Sequence, residues 1–391
     1  MPAAIPAILF DDAPPGSTEW ANLAPLTDLR PVVDVRTGVS TTRERLASDA
    51  RLALIDNAAR AMTPVLALSV RCPLLPDAAF SLAPGQALVE ARTNAVIAAR
   101  LEPAQAPRFD PANHSLGVVP HDSPALLHRS WDVIRFRDAC IAHDLAAILP
   151  RAPHDASRNF TVDGDPSLLR IHPRAHIAPN VVFDTRSGPI VVGESEIQAS
   201  SVIVGPVVIH DHSVVAARSF IKSNTVLGPT CKVGGEVGGT IFQGLANKVH
   251  DGHLGDSYVG EWANLGAGTT NSNLLNTYDE VITRISPRHP NERTGIRYLG
   301  AIIGDHAKFA INTRIMTGAV IGTGAMIAAS QGVMKSTGRF RWITDERDTL
   351  YRFDKFLDVA KAVMARRHIT PTNDYIAQLK SLHDHERAQE K

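Results

Sequence analysis

From Val191 onward an aliphatic residue returns every six positions: Val191, Ile197, Ile203, Ile209, Val215, Ile221, Leu227 and Val233. Four places after each stands a mostly small residue: Ser195, Ser201, Val207, Ser213, Ser219, Thr225, Cys231 and Val237. A second run keeps the beat at Ile303, Phe309, Ile315, Ile321, Ile327 and Val333, with Ala307, Thr313, Ala319 and Ala325 as companions. A period of six matches neither the 3.6 of a helix nor the two of a flat strand. It predicts a triangular coil in which each hexad supplies one short strand and one turn, and three hexads complete a circuit. The aliphatic residue points inward and stacks on its equivalents in neighbouring coils, while the small residue fits the corner. No coil buries its apolar side alone, so the stack is the stabilising unit.

The beat breaks twice, over Thr240–Asp251 and Asn271–Arg297, which read as loops leaving the coil. Such excursions are where repeat proteins place binding surfaces. A rhythmic piece, Leu254–Thr269, lies between them. The coil is assigned to residues 168–338. Residues 1–150 have another grammar and predict a small α/β domain. Ile5–Phe10 and Val65–Val70 read as strands, Thr41–Ala61 and Trp131–Leu149 as helices. Pro150–Ser167 reads as a linker. Residues 339–391 carry two helical patterns, Asp345–Arg366 and Asn373–Gln389, separated at Pro371 with Thr372 as N-cap. They are placed to cover the open end of the coil, where strand edges would be bare.

Composition narrows the function. Forty basic and 40 acidic residues cancel, which gives no footprint for nucleic acid or an anionic membrane. Three cysteines without a CxxC pair support neither a disulfide framework nor a thiolate zinc site. The N-terminus lacks a signal-peptide pattern, and no apolar run is long enough to span a membrane. The expected setting is the cytoplasm.

The chemistry-bearing stretch is Asn247-Lys-Val-His250-Asp-Gly-His253-Leu-Gly-Asp256, followed by Asn264-Leu-Gly-Ala-Gly-Thr269 and Asn271-Ser-Asn273. It resembles the acetyltransferase half of the bacterial bifunctional enzymes that acetylate glucosamine-1-phosphate and uridylylate the product. His250 stands four residues before Leu254-Gly-Asp, and Asn264 opens the second motif, both at the family's spacing. The resemblance implies a left-handed coil, a homotrimer, and acetyl-CoA lying in the groove between neighbouring prisms. It also implies His250 as the base, Asn273 as the residue positioning base or acceptor, and Asn264 as an acceptor ligand. Gly266, Ala267 and Gly268 would contact CoA, and His253 fills the place of a sugar-contacting tyrosine. Bottom-up, a neutral imidazole suits removal of an amine proton near neutral pH. Glycines let backbone approach a ligand closely, and their N–H groups suit an oxyanion.

The match is incomplete. The family's arginine and lysine for the sugar phosphate do not align, leaving Lys222, Lys232 and Lys248 as candidates, with Lys248 nearest the motif. A metal reading built on His210, His212, His250 and His253 finds no third histidine at a matching corner, so no metal is assigned. After Ile5–Phe10 comes Asp11-Asp-Ala-Pro-Pro-Gly16 instead of a Gly-rich loop with Arg and Lys. Leu26-Thr27, Arg30-Pro31, Arg36-Thr-Gly38, Thr41–Glu44 and Cys72–Pro76 resemble a diverged sugar-nucleotidyltransferase module. Arg30 and Arg36 are its candidate nucleotide ligands, and Mg²⁺ enters only if that module transfers nucleotides. The leading expectation is an N-acetyltransferase of an amino sugar phosphate or nucleotide-linked amino sugar. Its rivals are a sugar-1-phosphate nucleotidyltransferase and a non-catalytic sugar-nucleotide-binding protein.

Overall fold

A computed structural model describes residues 4–11, 23–56, 62–152, 160–333 and 335–390. The hexads form a parallel β-helix whose three faces are sheets of six, nine and ten strands. Register shows how the interior is built. On the ten-stranded face Ile177, Ile197, Val215 and Val233 stack in one inward column that resumes with Leu265, Phe309, Ile327 and Ile343. On the six-stranded face the column is Val162, Phe183, Ile203, Ile221, Val237 and Leu254. Each buried aliphatic side chain contributes about 1.5–3 kcal/mol. The corners turn through left-handed backbone at Ser200, His212, Arg218, Asn224 and Thr230, largely at six-residue intervals.

Two details of the hexad pattern differ from the sequence expectation. Val191 faces outward and Val192 takes the inward place, in register with Ile209 and Leu227. A five-residue step from Val192 to Ile197 replaces the six-residue one. Thr240–Asp251 is no loop either. It contains strands Ile241–Phe242 and Asn247–Lys248, with Phe242 in the core. Shortened glycine corners at 234–235 and 238–239 and a lysine at an inward position hide the beat there. The second excursion does leave the coil, after Thr270–Asn271, and carries a small hairpin, Ile282–Thr283 with Glu292–Arg293.

The N-terminal region is an α/β module. Its strands are β1 (Ile5–Phe10), β2 (Leu52–Leu54), β3 (Val65–Ser69), β4 (Gln86–Glu90), β5 (Val96–Leu101) and β6 (Gly117–His121), ordered β2-β1-β3-β5-β4-β6. Helix α1 is Thr42–Ser48, far shorter than Thr41–Ala61, and a capping box between Thr41 and Glu44 starts it. Residues 57–61 of that expectation lie outside the described residues. Helix α2 is Asp132–Ile148, as the spacing implied. The expected linker Pro150–Ser167 already contains the coil's first strand, Thr161–Asp163; its residues 153–159 are outside the described set.

Outward residues of the nine-stranded face explain how the module is held. Val191, Val208, Val226, Ile241, Tyr258, Ile302 and Val320 form one apolar row. The row is covered by Val32, Val33, Val35, Val39, Trp131, Ile134, Ile141 and Leu145 of the module. At the far end, helices α3 (Phe353–Ala365) and α4 (Asn373–Ala388) pack on Met326, Phe340 and Trp342 of the last coil. Thr372 caps α4 by accepting from the Tyr375 N–H at 3.2 Å. Among the described residues no helix is long and apolar enough to cross a membrane.

Candidate functional site

One edge of the prism, between the ten-stranded and six-stranded faces, carries the motif residues. Three corners stack there: the turn after Asn247–Lys248, the Gly266-Ala267-Gly268 turn, and the turn at Ile311-Asn312. Gly268 N–H donates to Asp251 O at 3.1 Å, and Asn312 N–H to Ala267 O at 2.7 Å. Gly268 has φ +73°, a left-handed conformation that favours glycine, and a Cβ there would lie 2.1 Å from Asn312 Oδ1, which would have to move. Gly266 N–H is spent on Phe309 O. The two glycine N–H groups proposed from sequence as oxyanion donors are therefore committed to stacking.

His250 is exposed at the first of these corners. Asn264 lies on one side of the edge, on the ten-stranded face, where its Oδ1 accepts from Asn247 Nδ2 at 2.7 Å. His253 and Asn273 lie on the other side. His253 Nδ1 is 3.3 Å from Glu236 Oε1, directly opposite in the ladder. Lys222 Nζ meets the same carboxylate oxygen at 3.2 Å. Gly238 and Gly255 are also in register, and their bare backbone, with Lys222 beside one and His253 and Asn273 beside the other, makes a glycine-floored trough next to Glu236. A Cβ on Gly255 would lie 2.7 Å from both His253 Nε2 and Asn273 Nδ2.

The sheet is interrupted at this trough. Strand His253–Gly255 ends the six-stranded face, and Thr270–Asn271 below it pairs instead with Arg314–Ile315. The buried Asn271 amide spans the gap: Gly255 N–H donates to its Oδ1 at 2.8 Å, and its Nδ2 donates to Gly255 O at 2.9 Å. A side chain replaces the ladder, which frees the chain to leave the coil after Asn273. Asp256 closes the trough. Its Oδ2 accepts from Asn273 Nδ2 at 2.6 Å, and its Oδ1 from Arg137 Nη1 of α2 at 2.7 Å. Glu236 and Arg137 carry no signal in the sequence, and Asp256 stands there only as the end of the Leu254-Gly-Asp motif, with no role attached. Arg137 is 119 residues from Asp256, a separation no local pattern bridges.

The structure corrects the assignment of Lys248 as a substrate ligand. It occupies the inward column between Val233 and Leu265 and is 1% exposed. Its ammonium donates to Gly234 O at 2.9 Å and His250 O at 2.8 Å. Burial pushes its pKa down to about 8. The folded chain then binds fewer protons than the unfolded one between about pH 8 and the ordinary 10.5. Lys248 should accordingly add stability as pH rises through that window, on the order of 3 kcal/mol. Denaturant unfolding across that range should show the rise, and Lys248→Met should lose its share. Lys308, pushed down to about 7 by burial, acts in the same direction and would remain in the variant.

Residues 7–151 match the family model described as sugar nucleotidyl transferase. A bifunctional sugar-1-phosphate nucleotidylyltransferase/acetyltransferase of Sulfurisphaera tokodaii is 32% identical over 154 residues, 39% of this chain and 38% of that one. Part of the chain is thus similar to the bifunctional nucleotidyltransferase–acetyltransferases. The bifunctional protein GlmU of Methanococcus maripaludis is 34% identical over 114 residues, 29% of this chain and 27% of that one. The chain thus spans well under half the length of these curated relatives. Among solved structures, the acetyltransferase domain of PglB from Neisseria gonorrhoeae aligns with TM-score 0.23 and 14% identity, over 61% of this chain and 80% of that one.

The module's two candidate phosphate ligands serve elsewhere. Arg30 donates to Asp305 Oδ2 at 2.7 Å and lies 3.2 Å from Glu261, both on the coil. Arg36 is buried: its backbone N–H donates to Gln243 Oε1 at 2.8 Å and its guanidinium to Gln243 O and Val39 O. Both fasten the module to the prism, which corrects their assignment as nucleotide ligands. His210, whose pKa burial pushes down to about 4, stands with Nε2 2.9 Å from Val39 O in the same joint. Of Asp11–Gly16, the segment read in place of a Gly-rich loop, residues 12–16 lie outside the described residues. Among the described residues no group of three or more His, Cys, Asp or Glu side chains is arranged to hold a metal.

Proposed function

We propose that the chain is an acetyl-CoA-dependent N-acetyltransferase whose acceptor is an amino sugar phosphate or a nucleotide-linked amino sugar. The observation that carries this reading is the convergence of His250, the Gly266-Ala267-Gly268 turn, Asn264, His253 and Asn273 around one edge of the coil. The acceptor amine lies in the trough against Asn273 and His253, with its hydroxyls toward Asn264. Acetyl-CoA runs along the edge past Ala267, and a neighbouring prism of a homotrimer forms the other wall.

His250 takes the amine proton as nitrogen attacks the thioester carbonyl. The tetrahedral intermediate then expels the CoA thiolate, which is protonated on leaving. Lys222 is the candidate cation at the trough for an acceptor phosphate, since Lys248 is inside the coil and Lys232 projects from the ten-stranded face. Acyl transfer requires no metal. The match over residues 7–151 favours a second activity, nucleotidyl transfer. Mg²⁺ would there neutralise the nucleotide phosphates.

The test is thiol release from acetyl-CoA across amino sugars, their 1-phosphates and their nucleotide derivatives. Release with one acceptor class supports the reading and names the substrate; no release with any acceptor overturns it. Gly255→Ala is expected to cut turnover about ten- to hundred-fold, because its Cβ displaces both His253 and Asn273. Steady-state kinetics with the active acceptor would check this.

A further inference from the structure

We infer that Arg137, on helix α2 of the N-terminal module, is a positioning residue for the acyl-transfer site: it holds Asn273 in place through Asp256. The inference rests on the reading of the trough as the acceptor site.

Three groups are connected in series. Arg137 Nη1 donates to Asp256 Oδ1 at 2.7 Å and to Gly239 O at 2.6 Å, while its Nε donates to Asp138 Oδ1 at 2.6 Å. Asp256 Oδ2 then accepts from Asn273 Nδ2 at 2.6 Å. The Arg137 and Asp256 side chains are 9% and 15% exposed, so water competes little for these bonds. Charge-assisted bonds of this length are among the stronger ones available to side chains.

Asp256 has little freedom to do anything else. Its backbone is left-handed at φ +45°. Its N–H donates to Gly238 O at 3.0 Å, and its carbonyl accepts from Gly300 N–H at 2.8 Å. With the backbone fixed on both sides, the carboxylate is a short rigid bridge between guanidinium and amide. Donating Nδ2 to Asp256 also settles the orientation of the Asn273 amide, leaving Oδ1 as its acceptor. An N–H or hydroxyl of an acceptor substrate is the group that fits it. Without Arg137, Asp256 keeps a half-buried charge that no longer has its cation, and the amide loses its anchor. The module is then part of the transferase site and not merely attached to it.

The experiment uses the full chain with Arg137→Met, Arg137→Lys, Asp256→Asn and the double variant Arg137→Met/Asp256→Asn. Expected for Arg137→Met is a fall in kcat of about ten- to hundred-fold, with KM for acetyl-CoA unchanged and KM for the acceptor raised. Arg137→Lys should recover much of the loss. Asp256→Asn breaks the same series at its middle, so the double variant should lose no more than the worse single one. Wild-type kcat and acceptor KM in a folded Arg137→Met, or additive losses in the double variant, would overturn the inference. Hydrogen exchange needs no acceptor and keeps the question separate from the activity itself. In Arg137→Met, or in Asp256→Asn should the first fail to fold, exchange should quicken at residues 253–258 and 270–275. Unchanged exchange there overturns the wiring. A wild type inactive with every acceptor, with quickened exchange in the variants, overturns the acetyltransferase reading and leaves the wiring standing.

Discussion

Replacing His250 with alanine is expected to lower kcat for acetyl transfer by about 10²- to 10⁴-fold, the usual worth of a general base. KM for acetyl-CoA should stay near wild type, because the CoA contacts assigned to the 266–268 turn are untouched. The fold should be indifferent. His250 is exposed on its corner, and exposed substitutions of this kind shift stability by about 0.5 kcal/mol or less. Paired kinetics and thermal melts check both halves. A variant that retains wild-type kcat would move the base elsewhere along the edge, first to His253, whose imidazole already faces Glu236.

Replacing Arg339 with methionine is expected to cost about 3–5 kcal/mol of stability, the range for breaking a buried ion pair from one side. Arg339 stands where three parts of the chain meet. Its Nε and Nη2 donate to the two oxygens of Asp28, at 2.8 and 2.6 Å, and its Nη1 reaches Glu386 Oε1 at 3.4 Å. Asp28 belongs to the N-terminal module, Arg339 to the last coil and Glu386 to α4; the Asp28 and Arg339 side chains are each 2% exposed. Thr323 Oγ1 donates to Asp28 as well. Denaturant midpoints should show the loss, and Asp28→Asn in the same chain should return part of it by removing the stranded charge. An unchanged midpoint would mean that the carboxylates regain water when the guanidinium is gone.

The coil was legible because its rule is local. An aliphatic residue every sixth place and a small one at each corner is a pattern short enough to survive in sequence, and it located the second run as well as the first. It failed where the period slipped. A strict six-residue count puts Val191 inward because it misses the five-residue step after Val192, and Thr240–Asp251 reads as a loop because its inward position holds Lys248. A lysine at an inward place satisfies its ammonium with backbone carbonyls, a solution no hydropathy pattern announces. The site was half legible. The motif spacing places His250 on a corner, with Asn264 on the strand to one side of that edge and Asn273 on the other. Arg30 and Arg36 read as phosphate ligands because a basic residue in a turn looks the same whether it meets a phosphate or Asp305. Only the packed module distinguishes the two. Arg137 and Glu236 depend on contacts between distant segments or opposing strands and left no mark of their own in the sequence.

The apolar row on the nine-stranded face has a consequence for how such a chain changes over generations. Stacked repeats ordinarily lengthen or shorten by whole units with little penalty, since each unit meets only its neighbours. Here a second body is fastened along the stack at widely separated heights, from Val191 through Gln243 to Asp305 and Arg339. Gaining or losing a single circuit between those fastenings would offset them by one strand spacing, about 4.8 Å, more than a hydrogen bond tolerates. The module therefore acts as a gauge, and duplications that a bare prism would absorb should be confined to its free end or be rejected.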